Sequence, residues 1–171
     1  AVLSYSITGG NADGAFAIDA ATGAVTVSDP SVLDHETAGT RTLTVEVSDG
    51  TLTDTATVTV TIADANEAPV LADTGFTISE AAASGAAVGA LTATDQDAGA
   101  VLSYSITAGN DDGAFTIDAA TGAVTVSDPS LLDHETADTR TLTVQVSDGT
   151  LTDTATVTVT IADANEAPVL G

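Results

Sequence analysis

The sequence predicts an all-β protein built as tandem seven-stranded Greek-key β-sandwiches, strung like beads. Three observations carry this. Residues 1–72 recur as residues 100–171 at an offset of 99 without a gap, and only positions 9, 12, 17, 32, 39, 46 and 72 differ from their counterparts. Segments of four to nine residues alternate apolar and polar side chains with period 2, as half-buried strands do. No stretch has convincing helical character: the Ala-rich run from Ala81 to Ala87 is broken by Ser84 and Gly85. A period of this size exceeds that of most solenoid repeats, so each copy is expected to enclose a core of its own.

Taken in order, the strands of the fuller copy are expected at Gly75–Ser79, Ala87–Thr94, Val101–Thr107, Ala114–Asp118, Ala123–Val126, Arg140–Ser147 and Asp153–Ile161. Thr121-Gly122 and Asp148-Gly149 supply turns, glycine being the residue that takes the left-handed backbone such turns need. Seven short strands in about one hundred residues are the spacing of a β-sandwich. Asp64-Ala65-Asn66-Glu67-Ala68-Pro69, repeated from Asp163 to Pro168, reads as the connection between beads. Residues 1–65 then form a repeat lacking its first strands, those corresponding to residues 70–98. Residues 66–171 form a complete repeat followed by the next linker. The pattern opens part-way through a bead, as an excerpt of a longer array would.

Composition narrows the chemistry. Apolar residues make up 43% of the chain, but three Phe and two Tyr are its only aromatics, so the core is expected to be Val, Ile, Leu and Ala. There is no Cys, which removes disulfides and thiol chemistry. No run of transmembrane length and no signal-peptide pattern is present. The formal net charge is −23, from 25 acidic residues against two Arg. Such a surface repels nucleic acid and anionic membranes, and repels itself when compact.

The acids sit at strand ends and in connections. Asp34 and Glu36, then Asp64, Asn66 and Glu67, then Asp95 and Asp97, surround the connection between the two repeats; Asp148 lies at a later turn and Glu80 ends a first strand. In an extended segment alternate residues point the same way, so Asp34/Glu36 and Asp95/Asp97 can each present two carboxylates to one site. Oxygen-only donors in such numbers suit calcium, which takes six to eight oxygens, better than a soft metal. The spacing is not that of an EF-hand loop.

These residues also resemble a family. Leu33-Asp34-His35-Glu36 is similar to the Leu-Asp-Arg-Glu motif of cadherins, and Asp64 to Pro69 to their Asp-x-Asn-Asp-Asn-Ala-Pro linker. Ile78-Ser79-Glu80 resembles the first-strand Glu segment, and Asp95-Gln96-Asp97 the Asp-x-Asp motif. Phe115-Thr116-Ile117-Asp118-Ala119-Ala120-Thr121-Gly122 and Val146-Ser147-Asp148-Gly149 resemble two further signatures. The six motifs occur in the family's order along the whole chain, and bacterial cadherin-like repeats of long surface proteins are the nearest version. The linker is one residue shorter than the family pattern, and His35 and His134 stand where the motif has Arg.

The resemblance implies calcium between successive repeats. It implies one junction set of Asp34, Glu36, Asp64, Asn66, Glu67, Asp95, Asp97 and Asp148. Half of a second set would comprise Glu80, Asp133, Glu135, Asp163, Asn165 and Glu166, and Asp49 would belong to a preceding junction. The implied function is a calcium-rigidified structural spacer of a secreted or cell-surface adhesin or filament. Its partners would be neighbouring repeats of the array and other copies in a filament. The alternative is a calcium-dependent binding module for homophilic or glycan adhesion. An enzyme would need a site unique to one copy, and the seven differing positions supply none. The two histidines read as exposed spacers, and Thr152, Thr154, Thr156, Thr158 and Thr160 as the solvent face of an edge strand. Tyr5 and Tyr104 read as core or core-edge residues.

Overall fold

Alternation of side chains along each strand, rather than helix propensity, sets the architecture. The computed structural model describes residues 2–167, which form strands, turns and two single 3-10 turns. The chain divides into two compact units, Ala1–Ala65 and Asn66–Gly171. Pro168, the end of the second linker motif, lies outside the described residues.

The first unit contains β1 (Ser4–Gly9), β2 (Phe16–Ile18), β3 (Val25–Val27), β4 (Thr40–Ser48) and β5 (Thr53–Thr61). One sheet has the order β1-β4-β5, and β2 and β3 form a separate two-stranded ribbon. The fully buried apolar cluster is small, with Ala15, Phe16 and Leu43 at its centre.

The second unit adds β6 (Thr74–Ser79) and β7 (Ala87–Ala90), then β8 (Ser103–Ala108), β9 (Phe115–Ile117), β10 (Ala123–Val126), β11 (Thr139–Ser147) and β12 (Thr152–Ala162). Its two sheets have the orders β6-β12-β11-β8 and β7-β10-β9. All seven expected strands are present. β7, β8 and β9 are shorter than the sequence pattern suggests; β7 ends at Ala90, and an isolated bridge pairs Val70 with Thr94 beyond it.

β12 buries Ala155, Val157, Val159 and Ile161, and β11 buries Leu142, Val144 and Val146, every second residue in each case. Leu71, Val88, Leu91, Phe115, Val124 and Val126 close the cluster from the other strands. Burying each large aliphatic side chain contributes about 1.5–3 kcal/mol. Tyr104 is buried, and its hydroxyl accepts a hydrogen bond from the Ala93 N–H at 3.0 Å.

The Thr face of β12 is exposed as expected, but β12 is not an edge strand: β6 pairs with it in parallel from Thr74 to Ser79. Phe76 and Ile78 add to the core from β6, which ties the strand there. Gly89 is required beside it, because a Cβ at that position would fall 2.3 Å from the Phe76 ring. The Phe-x-Ile-Asp-x-x-Thr-Gly signature proves to be turn chemistry. The Asp118 carboxylate accepts from the N–H groups of Ala120 and Thr121 and from the Thr121 hydroxyl, while Gly122 takes a positive φ of 68°.

Candidate metal centre

The second unit gathers acids at two places. At the first, carboxylate oxygens of Asp95, Asp97 and Asp148 lie within 4.8 Å of one another, all three side chains half-buried. Local turns put them there. The Asp97 N–H donates to Asp95 Oδ1 at 3.0 Å, folding the Asp-x-Asp segment so that both acids serve one place. Asp148 Oδ1 accepts from the N–H groups of Thr150 (2.6 Å) and Leu151 (2.7 Å) in the β11–β12 turn. That leaves Asp148 Oδ2, which accepts from the Asn66 side-chain amide at 2.8 Å. These bonds, the Asn66 contact first, hold the Asp148 carboxyl below the ordinary Asp value. The Glu67 N–H donates to Asp97 Oδ2 at 3.1 Å, so the first residues of this unit are drawn onto the cluster.

At the second place Glu80, Glu135, Asp163 and Glu166 bring carboxylate oxygens within 4.8 Å. Glu80 organises it. Its carboxylate accepts from the N–H groups of His134 (2.7 Å) and Ala164 (2.5 Å), tying the end of β6 to the Leu-Asp-His-Glu loop and to the segment after β12. These two bonds lower the Glu80 pKa. Glu166 moves the other way: a hydrogen bond shared with Glu80, then burial, then the charges of Glu80 and Glu135 raise it. Two carboxylates this close disfavour each other's ionisation. The acids open onto a concavity of about 700 Å³, also lined by Pro129, Leu132 and Asn165.

In the first unit, His35, Glu36 and Asp64 bring ligand-type atoms within 4.8 Å. Asp34 and Asp133 belong to no such group among the described residues. Asp34 accepts from the Thr37 N–H and hydroxyl, both at 2.9 Å, and Asp133 from those of Thr136, at 2.9 and 2.8 Å. Both acids therefore close a local turn, which lowers their pKa. Asn165 donates to the Glu166 carbonyl, at 3.4 Å. Asp49 caps its own turn through the N–H groups of Thr51 and Leu52.

The histidines are not exposed spacers. Both are half-buried, and each Nδ1–H donates to a carbonyl of the last strand region: His35 to Ile62 at 2.8 Å, His134 to Ile161 at 2.7 Å. That bond, reinforced by the charges of Asp163, Glu135 and Glu80, raises the His134 pKa. The place of His35 beside Glu36 and Asp64 was missed in the sequence. Its signal there was the motif itself, in which a residue between two acids reads as a spacer.

These donor sets fit a hard divalent cation. Asp95 Oδ2 is buried and accepts no hydrogen bond, and a buried carboxylate oxygen without a partner is costly. Both Arg residues are engaged elsewhere. Arg41 pairs with Asp13 (2.9 Å) and donates to the Val32 carbonyl, and Arg140 pairs with Asp112 (2.7 Å) and donates to the Leu131 carbonyl. Neither Arg therefore enters either acid group. Oxygen donors in this number, without thiolates, match calcium.

The cadherin domain family matches residues 1–63 and 74–162. The chain belongs to the cadherin domain family. Mouse Protocadherin Fat 4 is 38% identical over 152 residues and human Protocadherin Fat 1 is 41% identical over 152 residues. These alignments cover 84% and 85% of the chain but only 3% of each relative. Mouse Cadherin EGF LAG seven-pass G-type receptor 2 is 38% identical over 82% of the chain and 5% of its own length. Among solved structures, human Protocadherin-24 EC1-2 superposes with a TM-score of 0.74 at 24% identity, covering 96% of this chain and 83% of that one. The extracellular cadherin domains 1–5 of Protocadherin Gamma B2 give 0.74 at 22% identity, covering 96% and 34%. The shared fold is the cadherin β-sandwich. Cadherin domains are extracellular adhesion modules rather than enzymes, and calcium binding is characteristic of them.

Proposed function

We propose that this chain is a calcium-rigidified spacer segment of a long surface or secreted adhesin or filament, in the manner of bacterial cadherin-like repeats. The observation that carries the reading is the convergence of Asp95, Asp97 and Asp148 around a buried oxygen, Asp95 Oδ2, that has no hydrogen-bond partner among the described residues. Asn66 and Glu67, the first residues of the second unit, are bonded to that cluster, and they follow Asp64 of the first unit by only two and three positions. An ion held by Asp95, Asp97 and Asp148 together with Asn66, Glu67, Asp64 and Glu36 would remove freedom from the connection between repeats. Glu80, Glu135, Asp163 and Glu166 would serve the following junction in the same way, with Asp133 and Asn165 beside them. Calcium supplies charge neutralisation and oxygen coordination; the chain supplies pre-positioned carboxylates.

The near-identity of the two copies suits a spacer, in which each repeat has the same mechanical task. A homophilic or glycan-binding role would call for an aromatic or apolar patch on the second unit, whose large exposed apolar side chains among the described residues are Val70, Val101 and Leu151, none of them aromatic. The test is calorimetric titration with calcium, paired with small-angle scattering with calcium and with chelator. The expected result is saturable binding of two or more ions and a longer, stiffer particle. Absence of binding at millimolar calcium, or an unchanged scattering profile, refutes the reading.

A further inference from the structure

One acid interrupts an apolar series. β12 buries every second residue, Ala155, Val157, Val159 and Ile161, and Asp153 opens the same inward-facing series, half-buried. A carboxylate at such a position departs from the pattern that packing alone would set. Among the described residues it belongs to none of the acid groups that could hold an ion. Its oxygens are used one by one: Oδ1 accepts from the Thr154 N–H and Oδ2 from the Leu71 N–H, both at 2.8 Å. Leu71 is 5% exposed, so its N–H must find a partner inside the protein. The parallel ladder of β6 on β12 begins only at Thr74 and Val157, so the Asp153 carboxylate stands in for a strand carbonyl at Leu71.

Residues 66–71 lead from the cluster of Asp95, Asp97 and Asp148 to this carboxylate. The Asn66 side-chain amide donates to Asp148, and the Glu67 N–H to Asp97. Pro69 is fully buried, Val70 exchanges two backbone bonds with Thr94 (2.7 and 3.0 Å), and Leu71 ends on Asp153. The last two anchors lie close in sequence or ladder to the cluster acids. Thr94 directly precedes Asp95, and Asp153 pairs with Val146, two residues before Asp148. We propose, on the reading that calcium sits at that cluster, that Asp153 is a positioning residue for the ion. It stays off the ion and fixes the register of residues 66–71, so that Asn66 and Glu67 stand at the cluster before calcium arrives. A site ordered in advance loses less freedom on binding, and partners that hold metal ligands in place typically change affinity by about tenfold or more.

The test uses the whole 171-residue chain, isotopically labelled. Calcium is titrated in and followed by NMR at two places in one sample: the amides of Asp97 and Gly149 report the first cluster, and that of Ala164 reports the Glu80 cluster. Asp153→Ala is expected to weaken binding at the first cluster about tenfold and to leave the second unchanged, whereas a general loss of stability would weaken both. Without calcium, the same variant should speed exchange of the Leu71 amide and move the Asn66 side-chain amide resonances, which report the bond to Asp148. Asp153→Asn keeps an oxygen for the Leu71 N–H and should recover the affinity to within about threefold of the original. Unchanged affinity in Asp153→Ala, an equal loss at both clusters, or no recovery in Asp153→Asn would each overturn the proposal. An original chain that binds no calcium at the first cluster refutes the calcium reading itself, and that is seen before any variant is compared.

Discussion

A twin substitution tests how far the two units differ in core closure. Val27→Ala and Val126→Ala change the same residue at equivalent positions. Each removes two methyl groups, a transfer loss of about 1.6 kcal/mol at full burial. Val126 is 1% exposed within the closed sandwich, so a cavity penalty adds to this and the total is about 2–3 kcal/mol. Val27 is 53% exposed; roughly half the transfer loss applies and no enclosed cavity forms, leaving less than about 1 kcal/mol. For units of this size each kcal/mol moves the melting point by roughly 4–8 °C. Val126→Ala should therefore lower the melting of the second unit by about 10 °C or more, and Val27→Ala that of the first by less than about 5 °C. Methyl NMR during thermal or urea unfolding separates the units, with Leu43 and Leu142 as twin reporters, both fully buried. Equal losses in the two units would refute the reasoning, since they would mean that the β3 edge is covered in solution.

Three further outcomes are expected. Asp97→Asn should weaken calcium binding at least ~tenfold by calorimetry, because it removes a ligand charge from the half-buried cluster. Asp34→Asn, whose carboxylate is taken up by Thr37, should instead lower the melting of the first unit with little change in calcium affinity; equal losses from both variants would place Asp34 in the site. Without calcium, the stability of the second unit should pass through a maximum on acidification. Glu166 has a raised pKa, so protonating it in the folded state relieves repulsion and adds stability as pH falls through that value. Glu80 and Asp148 have lowered values, and their contribution, present above the unfolded carboxylate range, is lost as pH falls through their folded ones. A monotonic fall from neutral pH, followed by chemical denaturation, would contradict the raised Glu166 pKa. Finally, calcium should lower the His134 pKa, followed by the ring-proton shift in an NMR titration. Asp163, Glu135 and Glu80 help to hold it up, and an ion among them cancels that field; an unchanged value would mean the ion does not sit there.

Much of the fold was legible because the strands are regular. Leu142, Val144 and Val146 alternate with Thr and Gln without exception, and Asp148-Gly149 marks the turn to a partner strand of the same pattern. What pattern could not give was strand neighbours. The Thr face of β12 looks the same whether or not a strand lies beside it, and only the parallel pairing with β6, set by Phe76 and Ile78, makes β12 internal. Among the acids, those at alternate positions in an extended segment were the easiest to group, and Asp95 and Asp97 do converge. Asp34 looked equivalent to them, but a Thr three residues on competes for its oxygens, and local side chain to backbone bonding is hard to weigh against a distant site. The histidines were misread because a spacer between two acids has no pattern of its own; the carbonyls of Ile62 and Ile161 that fix them lie 27 residues away.

The charge distribution explains why salt alone is a poor substitute for a divalent ion here. Each unit has one Arg, and in each it is taken by the same Asp and the same backbone carbonyl. The other acids have no arginine partner, and backbone and hydroxyl donors, solvent or bound ions must offset their charge. Between clusters, dissolved salt suffices, since the screening length at physiological ionic strength is about 8 Å. Within a cluster it does not, because oxygens within 4.8 Å of one another lie inside that length, and Asp95 Oδ2 is shut off from water as well. Only an ion that enters the cluster and coordinates its oxygens can relieve the repulsion there. If the proposed reading holds, a chain with no Lys and 25 acids would need a monovalent salt concentration of about 1 M, high enough to screen at that range, to imitate what calcium does.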